Sequence, residues 1–90
     1  MVEASCHCAA VRLQIAEGPS SLTDCDCTIC RRYGALWAYY DAGLVQISAE
    51  PGALGEYRRS ERGLAFHHCL HCGCMMFHER PGGGRRGVNM

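Results

Sequence analysis

Val11, Leu13 and Ile15 alternate with Arg12, Gln14 and Ala16, the period of a strand with one buried face. Gly18-Pro19-Ser20-Ser21 ends it in a turn, and Ser21 to Asp24 is a short segment that can extend onward as a strand edge. The aromatic, apolar run Ala35-Leu36-Trp37-Ala38-Tyr39-Tyr40 predicts a buried strand. Further strands are expected from Leu44 to Ile47, Leu54 to Arg58, Leu64 to His68 and Met75 to His78, with a last one beginning at Val88. Turn residues separate them at Asp41-Ala42-Gly43, Ala49-Glu50-Pro51-Gly52, Ser60-Glu61-Arg62-Gly63 and Pro81-Gly82-Gly83-Gly84. The single helical signal is one turn from Thr28 to Tyr33, broken by Gly34. Six or seven short strands with turn signals every 8–12 residues or so predict a small all-β domain of several short antiparallel sheets.

Ninety residues make one domain, and at that size only about 60–65% of the unfolded chain's surface is buried, so the apolar core is marginal. Such a domain needs a staple. Eight cysteines supply the candidates, either as disulfides or as metal ligands. They fall into tight clusters, Cys6-x-Cys8, Cys25-x-Cys27-x-x-Cys30 and Cys69-x-x-Cys72-x-Cys74, whereas disulfide frameworks spread cysteines along the chain. The N-terminus has no basic segment leading into an apolar run, and a cytoplasmic address would keep the thiols reduced. Metal binding follows as the expectation.

Charge and hydropathy exclude other classes. No stretch approaches the roughly 18 apolar residues of a membrane span. Nine arginines, with no lysine, balance nine acidic residues, so the basic excess of a nucleic-acid binder is absent. Two zinc ions on seven ionised thiols would leave the protein about three charges more negative still.

In Cys69-Leu70-His71-Cys72-Gly73, a C-x-x-C-G knuckle at a hairpin tip presents two thiolates to one ion, with Gly73 taking the tight backbone conformation. Cys6 and Cys8 form the free pair that completes a four-cysteine site, since residues two apart in a strand share a side. That closure spans a loop of about 60 residues, and structural Zn²⁺ binding of roughly 10–16 kcal/mol exceeds a typical domain's net stability. Cys25, Cys27 and Cys30 remain as three ligands without a fourth, and Cys74 is unassigned. Two readings stand. Either Cys74 or a histidine closes the second site, giving two structural zincs, or the fourth position stays open as in catalytic zinc sites. Histidines 67, 68, 71 and 78 read as surface groups or donors to cluster sulfurs, and His7 as pointing away from the ligands beside it. Ferredoxin spacings are absent, and neither C-x-x-C pair begins the helix of a βαβ unit, which argues against redox use.

Three thiolates bring a Zn²⁺ site to a net charge of about minus one, a poor generator of hydroxide. A substrate thiol suits the open position better, since it would be held as a thiolate ready to attack an electrophilic carbon. Arg31 and Arg32, directly after Cys30, are placed to receive that substrate's carboxylates or to offset the charge of the metal site.

Ser5-Cys6-His7-Cys8-Ala9-Ala10-Val11-Arg12, then Cys25-Asp26-Cys27-Thr28-Ile29-Cys30-Arg31-Arg32-Tyr33-Gly34-Ala35, then Cys69-Leu70-His71-Cys72-Gly73, in that order, resemble the glutathione-dependent formaldehyde-activating enzyme and centromere protein V family. The resemblance implies an Mss4-like fold of coiled β-sheets. It implies a structural zinc on Cys6, Cys8, Cys69 and Cys72 and a catalytic zinc on Cys25, Cys27 and Cys30, two ions per chain. The implied reaction is that of a carbon–sulfur lyase, joining glutathione to formaldehyde as S-(hydroxymethyl)glutathione. A non-catalytic two-zinc structural or binding module is the alternative expectation. Two departures are visible. Ala9 stands where the family usually has glycine, and the chain stops at Met90, where the family normally continues for some tens of residues. A short member is expected either to lack an edge strand and part of its pocket or to form a homodimer that covers the edge.

Overall fold

The computed structural model describes residues 1–25, 27–59, 63–80 and 82–90, with the Arg59 side chain left aside. Its elements are β1 (Val2–Ser5), β2 (Val11–Ile15), the single turn α1 (Cys30–Tyr33), β3 (Trp37–Asp41), a 3-10 turn at Ala42–Leu44, β4 (Val45–Ala49), β5 (Leu54–Arg59), β6 (Leu64–Cys69), β7 (Met75–Glu79) and β8 (Arg85–Asn89). Neighbouring strands pair antiparallel in two sheets, a three-stranded one ordered β1-β2-β4 and a five-stranded one ordered β3-β8-β7-β6-β5. The all-β class expected from the alternation is therefore what the chain adopts. The turn expected at Ser60-Glu61-Arg62, and Pro81 of the glycine loop, lie outside the described residues.

Alternation sorts the side chains into two cores. From β2, Val11, Leu13 and Ile15 are buried while Arg12 and Gln14 are exposed. They pack with Val45 of β4 against Ala38, Tyr40, Met76, Phe77 and Val88 of the larger sheet. Each aliphatic side chain so buried contributes roughly 1.5–3 kcal/mol. On the other face of the larger sheet, Trp37, Phe66 and Met75 bury themselves with Ala35 and Cys30. Strand β3 serves both cores, Trp37 on one side and Ala38 and Tyr40 on the other.

The chain departs from the sequence reading at four places. The run from Ala35 to Tyr40 is not buried throughout, because strand alternation leaves Tyr39 40% exposed. Leu44 belongs to the 3-10 turn rather than to the strand after it. Val2–Ser5, too short and too mixed to read as a strand, pairs with β2 from Val2↔Ile15 to Ser5↔Arg12. Strand β8 begins three residues earlier than its apolar part suggests. It lies inside the sheet, bonded to both β3 and β7, and Arg86 is satisfied there by Glu79 and by the carbonyls of Ala42 and Val45.

The β1–β2 turn is closed by hydrogen bonds from Cys6 N–H to the Val11 carbonyl at 3.0 Å and from Ala9 N–H to the Cys6 carbonyl at 3.1 Å. Ala9 holds φ +66°, a left-handed conformation that costs an L-residue roughly 1–2 kcal/mol. Glycine would relieve that strain and give part of it back in unfolded-chain entropy. Ala9→Gly is expected to stabilise the protein by about 0.5–1 kcal/mol, raising the thermal midpoint by about 2–8 °C in calorimetry. An unchanged or lower midpoint would show that this backbone carries no strain.

Candidate metal centres

The first centre joins two turns far apart in the chain. Cys6 follows β1 and Cys8 sits in the turn to β2. Their thiols therefore converge through the curl that Ala9 permits, and not through strand alternation as the spacing suggested. Opposite them, Cys69 ends β6, and the knuckle closes with Gly73 at φ +79° donating to the Cys69 carbonyl at 2.8 Å. Leu70 N–H bonds to the Ala53 carbonyl at 2.7 Å and pins the knuckle to the β4–β5 connection.

The four sulfurs of Cys6, Cys8, Cys69 and Cys72 lie within 4.8 Å of one another, with Cys6–Cys8 at 3.7 Å and Cys8–Cys69 at 3.6 Å. A tetrahedron with zinc–sulfur bonds of about 2.3 Å has edges of about 3.8 Å, so this donor set fits a tetrahedral thiophilic ion. Backbone donors already point at the sulfurs. Val11 N–H reaches Cys6 at 3.3 Å, and the N–H groups of His71 and Cys72 reach Cys69 at 3.4 and 3.5 Å. Led by the Cys74 backbone N–H, such donors hold the Cys72 thiol down to about 5, because hydrogen bonds to the charged form favour it.

The second centre lies on the opposite face of the larger sheet. Thr23 bridges Trp37 through paired backbone bonds of 2.7 and 2.9 Å, which fixes where the chain leaves for Cys25. Cys30 opens α1, whose C-terminus is capped by Gly34 at φ +64°, the helix break expected from the sequence. The sulfurs of Cys25, Cys27 and Cys30 lie within 4.8 Å of one another and fit the same kind of ion. Cys30 N–H donates to the Cys27 sulfur at 3.4 Å. This backbone group leads the effects that bring the Cys27 thiol to about 6, while burial pushes Cys30 to about 12.

Among the described residues no fourth cysteine, histidine or carboxylate joins these three; Asp26 lies outside that set. Cys74, one of the residues considered for closing the site, packs with Cys72 against the first core. Arg31 and Arg32 are exposed on α1, and Arg32 Nη1 donates to the Thr28 carbonyl at 2.6 Å, tying down the ligand-bearing loop.

The histidines divide. His7 and His71 are exposed. His67 stacks on Phe77 and faces Glu79 at 3.3 Å. His78, expected at the surface or bonded to a sulfur, instead sits half-buried among Trp37, Phe66 and Tyr39 at ring separations of 4.4, 5.4 and 5.6 Å. Its Nδ1 is buried with no hydrogen-bond partner among the described residues, and desolvation lowers its pKa to about 4. Tyr39, His78 and the gap at Gly87 next to them escaped the sequence reading, because only the cross-strand register puts them side by side.

Over residues 1–90 the chain matches the family model described as glutathione-dependent formaldehyde-activating enzyme. A crystal structure of a Rhodobacter sphaeroides protein is similar at 28% identity, with a TM-score of 0.85 over 98% of this chain and 84% of that one. Among curated proteins there is no significant match.

Two outcomes follow from this geometry. Cys69→Ser should lower the metal content by one ion per chain and abolish the cooperative thermal transition, since the lost centre ties distant turns together, whereas Cys27→Ser should lose one ion and keep the transition; native mass spectrometry with calorimetry measures both, and a cooperative Cys69→Ser protein would refute the tie. His78 should keep a neutral imidazole through pH 5 and titrate near 4, well below the usual 6.5 or so, as ring NMR shifts would show; titration near 6.5 would mean the ring is solvated.

Proposed function

The chain belongs to the glutathione-dependent formaldehyde-activating enzyme family, and we propose that it is a zinc-dependent enzyme of the carbon–sulfur lyase type, acting on glutathione or a similar thiol with formaldehyde or another small aldehyde. The observation that carries this reading is the inequality of the two centres, four cysteines in one and three in the other. Structural zinc sites are closed, and catalytic ones leave a position for substrate. When bound at Cys25, Cys27 and Cys30, zinc would supply a cationic centre at which a substrate thiol gives up its proton at neutral pH.

The chain's own residues do the rest. Cys30, 6% exposed, is anchored on Trp37, Phe66 and Met75, so the three sulfurs stand on a rigid apolar floor rather than a free loop. Such a floor limits water and strengthens local electrostatics. Arg31 and Arg32 are candidates for the carboxylates of the thiol. In the addition, a sulfur lone pair forms the carbon–sulfur bond, the carbonyl π pair moves to oxygen, and the oxygen takes the proton that the thiol released. No oxidant or reductant is needed, and proximity supplies most of the gain. The reading places residues 1–90 together as one zinc-binding domain, in a reducing compartment such as the cytoplasm. No helix among the described residues is long and apolar enough to cross a membrane.

Exchange NMR of formaldehyde with glutathione tests the proposal. Zinc-loaded protein should accelerate the exchange, and Cys27→Ser should remove at least about tenfold of that acceleration, the loss expected when a metal ligand is missing. A rate indifferent to the protein would leave a non-catalytic two-zinc module as the better description.

A further inference from the structure

The outward face of the five-stranded sheet, opposite the three-stranded one, carries a row of directly paired residues running from β5 to β3. Tyr57 pairs with Phe66, Phe66 with His78, His78 with Gly87, and Gly87 with Tyr39. Directly opposed residues share a face, so four rings stand in a line with one side chain missing. A Cβ at Gly87 would fall 2.3 Å from His78 Nε2, too close for any atom, so the glycine is what admits the imidazole. The gap opens as a cavity of about 490 Å³ between Tyr39 and His78, lined also by Leu64 and by the exposed Arg80 and Arg85. That volume lies within the usual range for small-molecule sites, roughly 300–1,000 Å³.

The cavity shares a core with the three-cysteine centre. Leu64 packs against the same core as Cys25 and Cys27. His78 packs on Trp37 and Phe66 at ring separations of 4.4 and 5.4 Å, and the same two rings help to bury Cys30. Arg85 lies over the Tyr39 ring at 5.1 Å and forms no ion pair with any carboxylate among the described residues, its cross-strand neighbour Asp41 included. Glu79 borders the cavity too, but its carboxylate is held by Arg86 at 2.9 Å and by His67. Two exposed guanidiniums, Arg80 and Arg85, therefore face an aromatic slot with no ion pair among the described residues, and Arg85 is the one set over Tyr39.

We propose that the slot floored by Gly87 receives the body of the thiol substrate, with Tyr39 and His78 flanking its stem and Arg85 binding a carboxylate, which makes the ligand an anionic, peptide-sized thiol rather than a small neutral one. This inference rests on the function proposed above and adds the residues that select the substrate. The neutral imidazole of His78 suits the apolar stem, and the Arg85 fork suits a carboxylate.

Calorimetric titration of the zinc-loaded protein with glutathione and with 2-mercaptoethanol tests it. Arg85→Gln, at an exposed position, should raise the glutathione Kd about tenfold, the loss of one charge-assisted carboxylate contact, and leave the 2-mercaptoethanol Kd unchanged. Gly87→Ala should weaken glutathione at least as much by displacing His78; if that variant does not fold, Arg85→Gln decides alone. An unchanged glutathione Kd in Arg85→Gln, or an equal loss for both thiols, overturns the proposal. The exchange assay separates the two readings. Glutathione bound through Arg85 without acceleration would end the catalytic reading and keep the slot, whereas acceleration with an unaltered KM in Arg85→Gln would end the slot and keep the catalysis. A wild-type protein that binds no glutathione ends both.

Discussion

The fold depends on bringing four sulfurs from two turns, 61 residues apart at Cys8 and Cys69, to within bonding distance of a single point. A chain of this length has a modest apolar core with which to hold two small sheets together. Cys6 and Cys8 fix the β1–β2 turn, Cys69 and Cys72 fix the β6–β7 turn, and the first core fills the space between the sheets those turns belong to. Both turns need a left-handed residue, Ala9 in one and Gly73 in the other. Backbone N–H groups aimed at the sulfurs are consequences of those same conformations. The first centre and the first core are thus one device, in which a four-sulfur group able to hold an ion adjoins the hydrophobic burial between the sheets.

The four-cysteine centre stands against the core on one face of the larger sheet, and the three-cysteine centre against the core on the other. Strand alternation assigns Ala38 and Tyr40 to the packed side and Trp37 and Tyr39 to the open side of the same β3. The three-cysteine loop settles on the open side, where Trp37, Phe66 and Met75 bury Cys30. The paired bonds of Thr23 to Trp37 attach the start of that loop to β3, and Arg32 fastens its far end by binding the Thr28 carbonyl. A loop tied at both ends and seated on an aromatic floor holds its thiols in place without a fourth cysteine.

Much of this was legible in the chain. Cysteine spacing announced both groups of thiols that the fold brings together, because one or two residues between thiols is a local property that survives whatever the rest of the fold does. Glycines 34 and 73 marked the helix end and the knuckle for the same reason, each needing a positive φ that is decided within a few residues. What escaped was set by long-range pairing. Val2–Ser5 becomes a strand only because β2 is there to receive it, and Arg85 and Arg86 belong to an interior strand although their charges read as loop. The convergence of Cys6 and Cys8 was expected for the wrong reason, since a tight turn and a strand both bring residues two apart to one side. Ala9 was the clue, as the departure that matters only where φ is positive.

The functional face shows the same limit more sharply. Tyr39, His78 and Gly87 come from three strands and become neighbours through register alone; a one-residue slip in β8 would put Val88 in place of the gap and close it. Their environment then follows from elementary electrostatics. Three thiolates around a divalent ion would be net negative, so a cation buried beneath them would neutralise the metal site, whereas Arg31 and Arg32 remain exposed to solvent on α1. A desolvated, neutral His78 next to the floor of that centre avoids this, and Arg85, held away from it above the Tyr39 ring, keeps its charge for an anion arriving from solvent. The distribution of charge across this face, neutral rings beside the sulfurs and a guanidinium beyond them, is what an anionic thiol requires if its sulfur is to go inward and its carboxylate to stay out.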